Sequence, residues 1–359
     1  MKRRDALKLI GAGTGLVTLP ALAVGASRLV DYGAIRPRNP RPDVKTFHKT
    51  FRPFRGVSGA INQNVFLYQN LQKQIGEIVP HNQATIIDSD GNTLREGEGD
   101  CVGHATAMGC DVLAATNIHM LGLPERWEAK ASVEMIYAGS RVEIGQQSDD
   151  NLEKVNWLAG RGGSHGEWAA RYVKQYGVLH RRKYQADGNE IDLTGYEPDR
   201  SRQYRDVGVP DWLEPIARQH PVREVTNVQT GREALDAVCA GQPVLMCSSY
   251  AFRDTRDADG FASAYLGTSR RGWLNAVRIQ WWHAMILTGA ILTGNRIGGV
   301  LQNSHGVWNS GPRPNDMPEG SFAVDLSTLD LMVRDWFDCY ALSSYVGHQA
   351  LAIRHKLYW

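Results

Sequence analysis

This 359-residue chain lacks cysteines at CxxC spacing, a large excess of charge of one sign and, after its N-terminus, long apolar runs. None of its five cysteines forms a CxxC pair, so a structural zinc site is not expected. The formal net charge is only +2, which gives no reason to expect a nucleic-acid partner. No run of 18 apolar residues follows the first 30 positions, so no later transmembrane span is expected. What remains is an ordinary globular composition, with 42% hydrophobic and 22% charged residues.

The N-terminal 26 residues have the pattern of a targeting signal. Arg3 and Arg4 stand side by side, a mildly apolar run follows, and a small-x-small cleavage site ends at Ala23. The segment resembles a twin-arginine export signal. That resemblance implies cleavage after Ala23 or Ala26, export to the periplasm or the extracellular space, and no stable membrane insertion afterwards. The alternative is an uncleaved N-terminal anchor. Removal of residues 1–26 would change the net charge from +2 to −1.

The rest of the chain divides into a basic, proline-rich arm, a helical half and a strand-rich half. Apolar residues recur every three or four positions after Cys101, which predicts a helix that Gly122 and Pro124 end. Residues 185–225 are polar and are predicted to be a long connection. Other helices are predicted at 65–79, 131–143, 167–176 and 232–240, and strands at 243–248, 283–292, 299–302 and 321–324.

Cys101, His283 and Asn303 are the candidate catalytic residues. Cys101 follows a glycine-rich turn and begins a helix in EGDCVGHATAM, where a thiol is either a small core residue or a nucleophile stabilised by the helix N-terminus. His283 begins an apolar strand in HAMILTG, and Asn303 ends another strand in NSHGVW. A thiol, an imidazole and an amide therefore occur in that order along the chain.

These segments resemble the papain superfamily of cysteine peptidases. The resemblance implies an α+β, papain-like fold over residues 96–350. A helical left half (96–190) would open with the cysteine helix, and the right half (220–350) would be antiparallel and β-barrel-like. It also implies a peptidase with a polypeptide substrate, no cofactor and no metal. Cys101 would attack the peptide carbonyl, His283 would transfer protons and Asn303 would orient the imidazole. Residues 27–95 would be an arm or a short prosegment.

Supporting positions match the family less closely. Gly162 and Gly163 resemble its Gly-Gly segment along the substrate cleft. Arg95 stands six residues before the cysteine, where the family has a glutamine that binds the oxyanion, so Arg95 is the oxyanion candidate. His305 replaces the tryptophan that shields the family's His–Asn hydrogen bond, and Trp308 lies nearby; both are substrate-cleft candidates.

Two other functions are consistent with the sequence. One is a catalytically impaired papain-fold binding module, which the replacements at Arg95 and His305 favour. The other is a transglutaminase-like acyltransferase, although that class uses an aspartate where this chain has Asn303. His104, three residues after Cys101, is expected to be a polar residue on a partly solvated helix face.

Overall fold

The computed structural model describes residues 29–31, 34, 52–53, 63–79, 86–87, 93–95, 99–121, 127–146, 162–265 and 280–345. The predicted export signal, residues 1–26, lies outside the described residues. No helix in the described stretches is long and apolar enough to cross a membrane.

Helices dominate the first half of the described chain and recur in the second. The α-helices described are α1 (Tyr68–Ile75), α2 (Cys101–Leu121), α3 (Val133–Gly139), α4 (Gly166–Gln175), α5 (Pro198–Tyr204), α6 (Glu214–Ala217), α7 (Gly231–Cys239) and α8 (Leu326–Trp336), with a π-helical segment at Ser140–Gln146. The helices predicted from residue 101, at 167–176 and at 232–240 are confirmed as α2, α4 and α7. Helix α8 was not predicted.

The strands form one large sheet and three small ones. The strands described are β1 (Leu29–Asp31), β2 (Arg52–Pro53), β3 (Val65–Phe66), β4 (Ile86–Ile87), β5 (Thr93–Arg95), β6 (Lys183–Ala186), β7 (Asn189–Asp192), β8 (Val222–Asn227), β9 (Val244–Tyr250), β10 (Phe252–Arg256), β11 (Ala262–Ala264), β12 (Gln280–Thr293), β13 (Arg296–Gln302), β14 (Phe322–Asp325) and β15 (Asp338–Tyr345). The large sheet runs β14-β13-β12-β9-β15-β8-β2, and β1 and β3 also pair with β12.

The expected α+β fold is confirmed, but the right half is not a barrel. Within the described residues the path from β14 to β2 does not close, so the strands form an open sheet. Most pairings are antiparallel, whereas β1 and β2 join their neighbours in parallel. Helices α7 and α8 pack on each other and on this sheet. The two helices cover an apolar face of the open sheet, which in a closed barrel would line the interior.

Helix α2 lies between the two halves of the core, and this placement presents its first residue to the sheet. The helix packs against α3 and also against β12 and β15. Two glycines permit these close approaches. A side chain on Gly103 would come within 2.9 Å of Val133 O, and one on Gly109 within 2.9 Å of Ile286 Cδ1. A helix that is apolar on most sides is typical of such a central position.

Three predicted segments differ from the structure. Residues 65–79 do not form one helix, because the backbone of 65–66 pairs with β12 and α1 begins only at Tyr68. The helix predicted at 131–143 is α3 followed by the π-helical segment. Residues 185–225 are not a plain connection, since they include the β6–β7 hairpin and two helices. That hairpin turns at Asp187-Gly188, both with positive φ, a turn signal that the sequence does contain.

Candidate active site

Cys101 is the first residue of α2 and is completely buried. Its Sγ accepts a hydrogen bond of 3.4 Å from the backbone N–H of Ala284 on β12. Ala284 directly follows His283, so the thiol of the helical half lies against the strand that carries the imidazole. The first two residues predicted for the site are therefore brought together, although 182 positions separate them in the sequence.

His283 and Asn303 are joined by a short hydrogen bond. His283 Nε2 lies 2.7 Å from Asn303 Oδ1. The same oxygen accepts the backbone N–H of Ser304 at 2.7 Å. Because a backbone N–H can only donate, the atom facing both groups is the amide oxygen, and His283 Nε2 must carry the proton. Nδ1 is then the basic nitrogen of the neutral ring.

The environment of His283 disfavours a positive charge on its ring. Burial lowers the pKa of His283 to about 4, the hydrogen bond to Asn303 acts in the opposite direction, and the nearby His104 lowers the pKa further. In this closed arrangement the ring is neutral at neutral pH. Protonation of His283 would require water in the cleft or a thiolate at Cys101 to balance the charge.

His305 covers the imidazole of His283. The two rings stack with centroids 4.3 Å apart and an interplanar angle of 27°. His305 Nδ1 also lies 3.3 Å from Asn303 Nδ2. Trp281 and Trp308 pack edge-on against the His305 ring, at 5.5 and 6.1 Å. Trp308 therefore supports the covering ring, and its Nε1–H donates to Gly320 O at 2.7 Å.

Gly162 and Gly163 precede α4, and the polar backbone groups of Gly163 are bonded within the protein. Its N–H donates to Tyr137 Oη at 3.0 Å, and its carbonyl accepts from the Arg141 guanidinium. Gly163 has a φ of 107°, a conformation that suits glycine. These contacts hold the segment rigidly in front of α4.

A short N-terminal segment lies between the two halves beside the site. Strand β1 pairs in parallel with residues 280–282 of β12, directly before His283. Ala34 follows, donates its N–H to Trp282 O at 3.1 Å, and forms a parallel bridge with Ser164. Ala34 is buried. The segment therefore links the strand of the candidate base to the chain that follows Gly163.

Arg95, the oxyanion candidate, ends β5, where its backbone pairs with Ile86 of β4. Its side chain and residues 96–98 lie outside the described part of the chain. The role predicted for Arg95 therefore stays a prediction.

The sequence did not indicate a buried polar network beside Cys101. Asp100 Oδ2 accepts from Tyr196 Oη at 2.9 Å and from Ser201 Oγ at 2.7 Å, and Asp100 Oδ1 lies 3.5 Å from His104 Nε2. His104 is buried, so its expected place on a partly solvated face is wrong. Tyr196 covers it with an edge-to-face contact of 4.6 Å. The partners lie about 100 positions along the chain, and no local spacing could have indicated them.

The five cysteines all lie in the described part of the chain and form no disulfide bonds there. Burial raises the pKa of Cys110 and Cys247 well above the ordinary value, and that of Cys239 to about 11. Cys239 is only partly buried, so it provides an internal reference for thiol reactivity.

Three solved structures that this chain resembles are a cysteine protease and two procathepsins. Xylellain from Xylella fastidiosa is 13% identical over 88% of this chain and 97% of its own, with a TM-score of 0.49. A digestive procathepsin L 3 of Tenebrio molitor larval midgut is 14% identical, covering 82% and 74% of the two chains, with a TM-score of 0.44. A procathepsin B of Trypanosoma congolense is 12% identical, covering 90% and 89%, with a TM-score of 0.45.

No family model and no curated protein matches this chain.

Proposed function

We propose that this chain is an exported, papain-like cysteine peptidase. The observation that carries the proposal is the meeting of Cys101, His283 and Asn303 across the two halves. Cys101 Sγ accepts the N–H next to His283, and His283 is bonded to Asn303. This proximity supports the proposal, because a thiol nucleophile, a general base and an orienting amide have to lie side by side.

The residues would act in two steps. His283 Nδ1 takes the proton of Cys101, and the thiolate, stabilised by the N-terminus of α2, attacks the peptide carbonyl carbon. The imidazolium then protonates the leaving amine as the C–N bond breaks, which gives an acyl-thioenzyme and a free amine. In the second step His283 removes a proton from water, the hydroxide attacks the thioester, and the thiolate leaves. Asn303 holds the ring in one orientation throughout.

We propose further that residues 27–95 include a prosegment that restricts access to the site. Strand β1 and Ala34 occupy backbone positions on β12 and at Ser164 with which an extended peptide could pair. The complete burial of Cys101 supports this role. The predicted signal at residues 1–26 would be removed before the arm, in the periplasm or outside the cell.

A binding module without activity is the second candidate. It is favoured by the same burial of Cys101 and by the two departures from the family pattern at Arg95 and His305. In such a module the thiol would be a core residue, as reactive as the other buried thiols.

Alkylation of the folded protein at about pH 6, followed by peptide mapping, separates the two candidates. An ordinary thiol is almost wholly protonated at that pH, so a peptidase should alkylate much faster at Cys101 than at Cys239. His283→Ala should slow labelling of Cys101 and leave Cys239 unchanged. Because Cys101 is buried, the same assay is run on Ala34→Pro, in which the arm loses its hydrogen bond to Trp282. Equal slow labelling of Cys101 and Cys239 in both backgrounds would exclude the peptidase.

A further inference from the structure

A second group of chemically reactive side chains lies outside the thiol site. Glu128, His180 and His220 come from three separate segments of the chain, and one possible ligand atom from each lies within 4.8 Å of the others. We propose that these three residues form a binding site for a divalent transition-metal ion of the zinc type. The three residues are dispersed in sequence, so no spacing motif pointed to them.

The backbone of the central ligand is fixed. His180 forms an antiparallel bridge with Ala131. The His180 N–H donates to Tyr184 Oη at 2.8 Å, and the same hydroxyl donates back to His180 O at 3.0 Å. The His180 side chain is buried, so its ring has little freedom to turn away. A site with one rigid ligand loses less entropy when a metal binds.

The two imidazoles are in the form that binds metals. Their rings meet edge-to-face with centroids 4.4 Å apart. Burial, helped by the neighbouring His220 and Arg182, lowers the pKa of His180 to about 3. Burial also lowers the pKa of His220. Burial thus favours the neutral imidazole in both rings, and the neutral imidazole is the form that binds metal ions.

The ligand set favours zinc over calcium or magnesium. Two imidazole nitrogens and one carboxylate suit Zn²⁺ and its neighbours in the first transition row, whereas Ca²⁺ and Mg²⁺ prefer oxygen alone. Ligand atoms about 2.1 Å from a tetrahedral ion lie about 3.4 Å from one another. His180 Nδ1 and Glu128 Oε2 are already 3.3 Å apart. A ring nitrogen of His220 lies within 4.8 Å of a ligand atom of each of the other two residues, and a water molecule can fill the fourth position.

Arg182 competes with the metal for Glu128. Its guanidinium lies 3.6 Å from the same Glu128 Oε2 and 5.0 Å from the centre of the Tyr184 ring. The Arg182 side chain is 46% exposed, so it can withdraw into solvent when a metal binds. Removing this positive charge should therefore strengthen metal binding.

The site would join segments that border the candidate active site. Ala131, the bridge partner of His180, and Arg181, the next residue after His180, line a cavity of about 30 Å³. The other walls of that cavity include His104 and Asn303. Zinc would thus hold together Glu128, His180 and His220 and stiffen one wall beside the catalytic residues.

Zinc titration of the full chain tests the site. All variants carry Cys101→Ser, which removes the catalytic thiol as a rival ligand and makes the result independent of the proposed peptidase. Competition with a chromogenic chelator should give one Zn²⁺ per chain and a melting temperature that rises with zinc. Glu128→Gln and His220→Gln should each weaken binding about tenfold or more. Arg182→Gln should tighten it. His119→Gln, which changes an exposed histidine on α2, is the matched control and should leave it unchanged.

The substituted side chains of Glu128 and His220 are exposed or half-buried, so these variants should fold. Their melting temperatures without metal check this. The proposal is overturned if the parent chain retains no zinc. It is also overturned if the combined Glu128→Gln and His220→Gln variant binds zinc as tightly as the parent.

Discussion

The ring of His305 stacks on the ring of His283, with centroids 4.3 Å apart, and covers the imidazole that is bonded to Asn303. A histidine thus occupies the position in which the papain family has a shielding tryptophan. It contributes both a flat face over His283 and an acceptor for the amide N–H of Asn303.

Replacing His305 separates these two contributions. His305→Ala should admit water to the His283–Asn303 bond and raise the pKa of His283 towards its ordinary value, because burial is the main cause of its depression. Turnover should fall about 10-fold to 10²-fold as the ring loses its fixed position. His305→Phe keeps the stacked face and loses only the acceptor, so it should stay closer to the parent. Rates of hydrolysis and of Cys101 alkylation across pH measure both effects. If His305→Ala and His305→Phe have the same rates at each pH, the stacked ring face does not protect the His283–Asn303 hydrogen bond.

The second prediction concerns the N-terminal arm, residues 27–95, at Ala34. Ala34→Pro removes the N–H that donates to Trp282 O and should loosen the segment, at a cost of about 1 kcal/mol. Labelling of Cys101 should accelerate, and labelling of Cys239 should not. Ala34→Gly keeps the N–H and is the matched control. Faster labelling in the glycine variant to the same degree would show that the hydrogen bond does not hold the arm in place.

Export is tested by replacing Arg3 and Arg4 together with lysine. A receptor that requires both guanidinium groups should fail to export this variant, which should then accumulate in the cytoplasm. Cell fractionation with an antibody to the chain measures the distribution. The double variant keeps the charge and apolar run of the signal, so normal export would indicate a general secretory route.

Local patterns predicted the parts of this chain that local forces determine. Periodicity located α2 because its packing faces recur at helical spacing, and Gly241, with a positive φ of 82°, follows the end of α7. The three catalytic candidates were found from the short motifs around them, but the predicted start of the strand at His283 was wrong, because β12 begins at Gln280. Their convergence depends on long-range pairing, such as that between β12 and β9, which no short window contains.

The parts that were missed depend on partners far along the chain. The 185–225 segment looked like a plain connection because its residues are polar. Several of its polar side chains are instead bonded to buried partners. Ser201 and Tyr196 bond to Asp100, and Arg200 pairs with the buried Glu134 at 2.8 Å. Composition alone cannot distinguish such a segment from a solvated loop.

Glu143 should make stability depend on pH. Burial raises its pKa to about 7, although the Val209 N–H bonded to Oε1 at 2.8 Å acts in the opposite direction. The folded chain therefore binds this proton more tightly than the unfolded chain, and the contribution of Glu143 to stability falls as the pH rises from about 4.5 to 7. Glu143→Gln keeps an oxygen for Val209 and cannot ionise. It should be more stable than the parent at pH 8, by up to about 3 kcal/mol, and similar near pH 4.

Urea unfolding midpoints at the two pH values measure this difference. Glu190→Gln, at an exposed position on β7, is the control and should shift neither midpoint appreciably. A Glu143→Gln variant that tracks the parent at both pH values would mean that Glu143 is ionised in the folded state.

The last prediction concerns Arg95 and the charge that develops during catalysis. In the proposed reaction the tetrahedral intermediate carries a negative oxygen, for which the backbone N–H of Cys101 would provide one donor. A second donor is worth about 10²–10³ in rate. Arg95 stands where the papain family has its glutamine donor, and its guanidinium adds a permanent positive charge.

If Arg95 is that second donor, Arg95→Ala should lower turnover by about 10²–10³. Alkylation of Cys101 should persist, because it forms no oxyanion. Arg95→Gln should restore most of the rate, since an amide can donate in the same place. Arg253→Ala, which removes an exposed arginine on β10, controls for the change in net charge. Initial rates on an unfolded protein substrate, measured beside labelling rates, distinguish the outcomes. Full activity in Arg95→Ala would mean that another group holds the oxyanion. A parent that labels quickly at Cys101 and yet cleaves nothing would contradict the proposed peptidase activity, because an activated thiol alone does not complete the reaction.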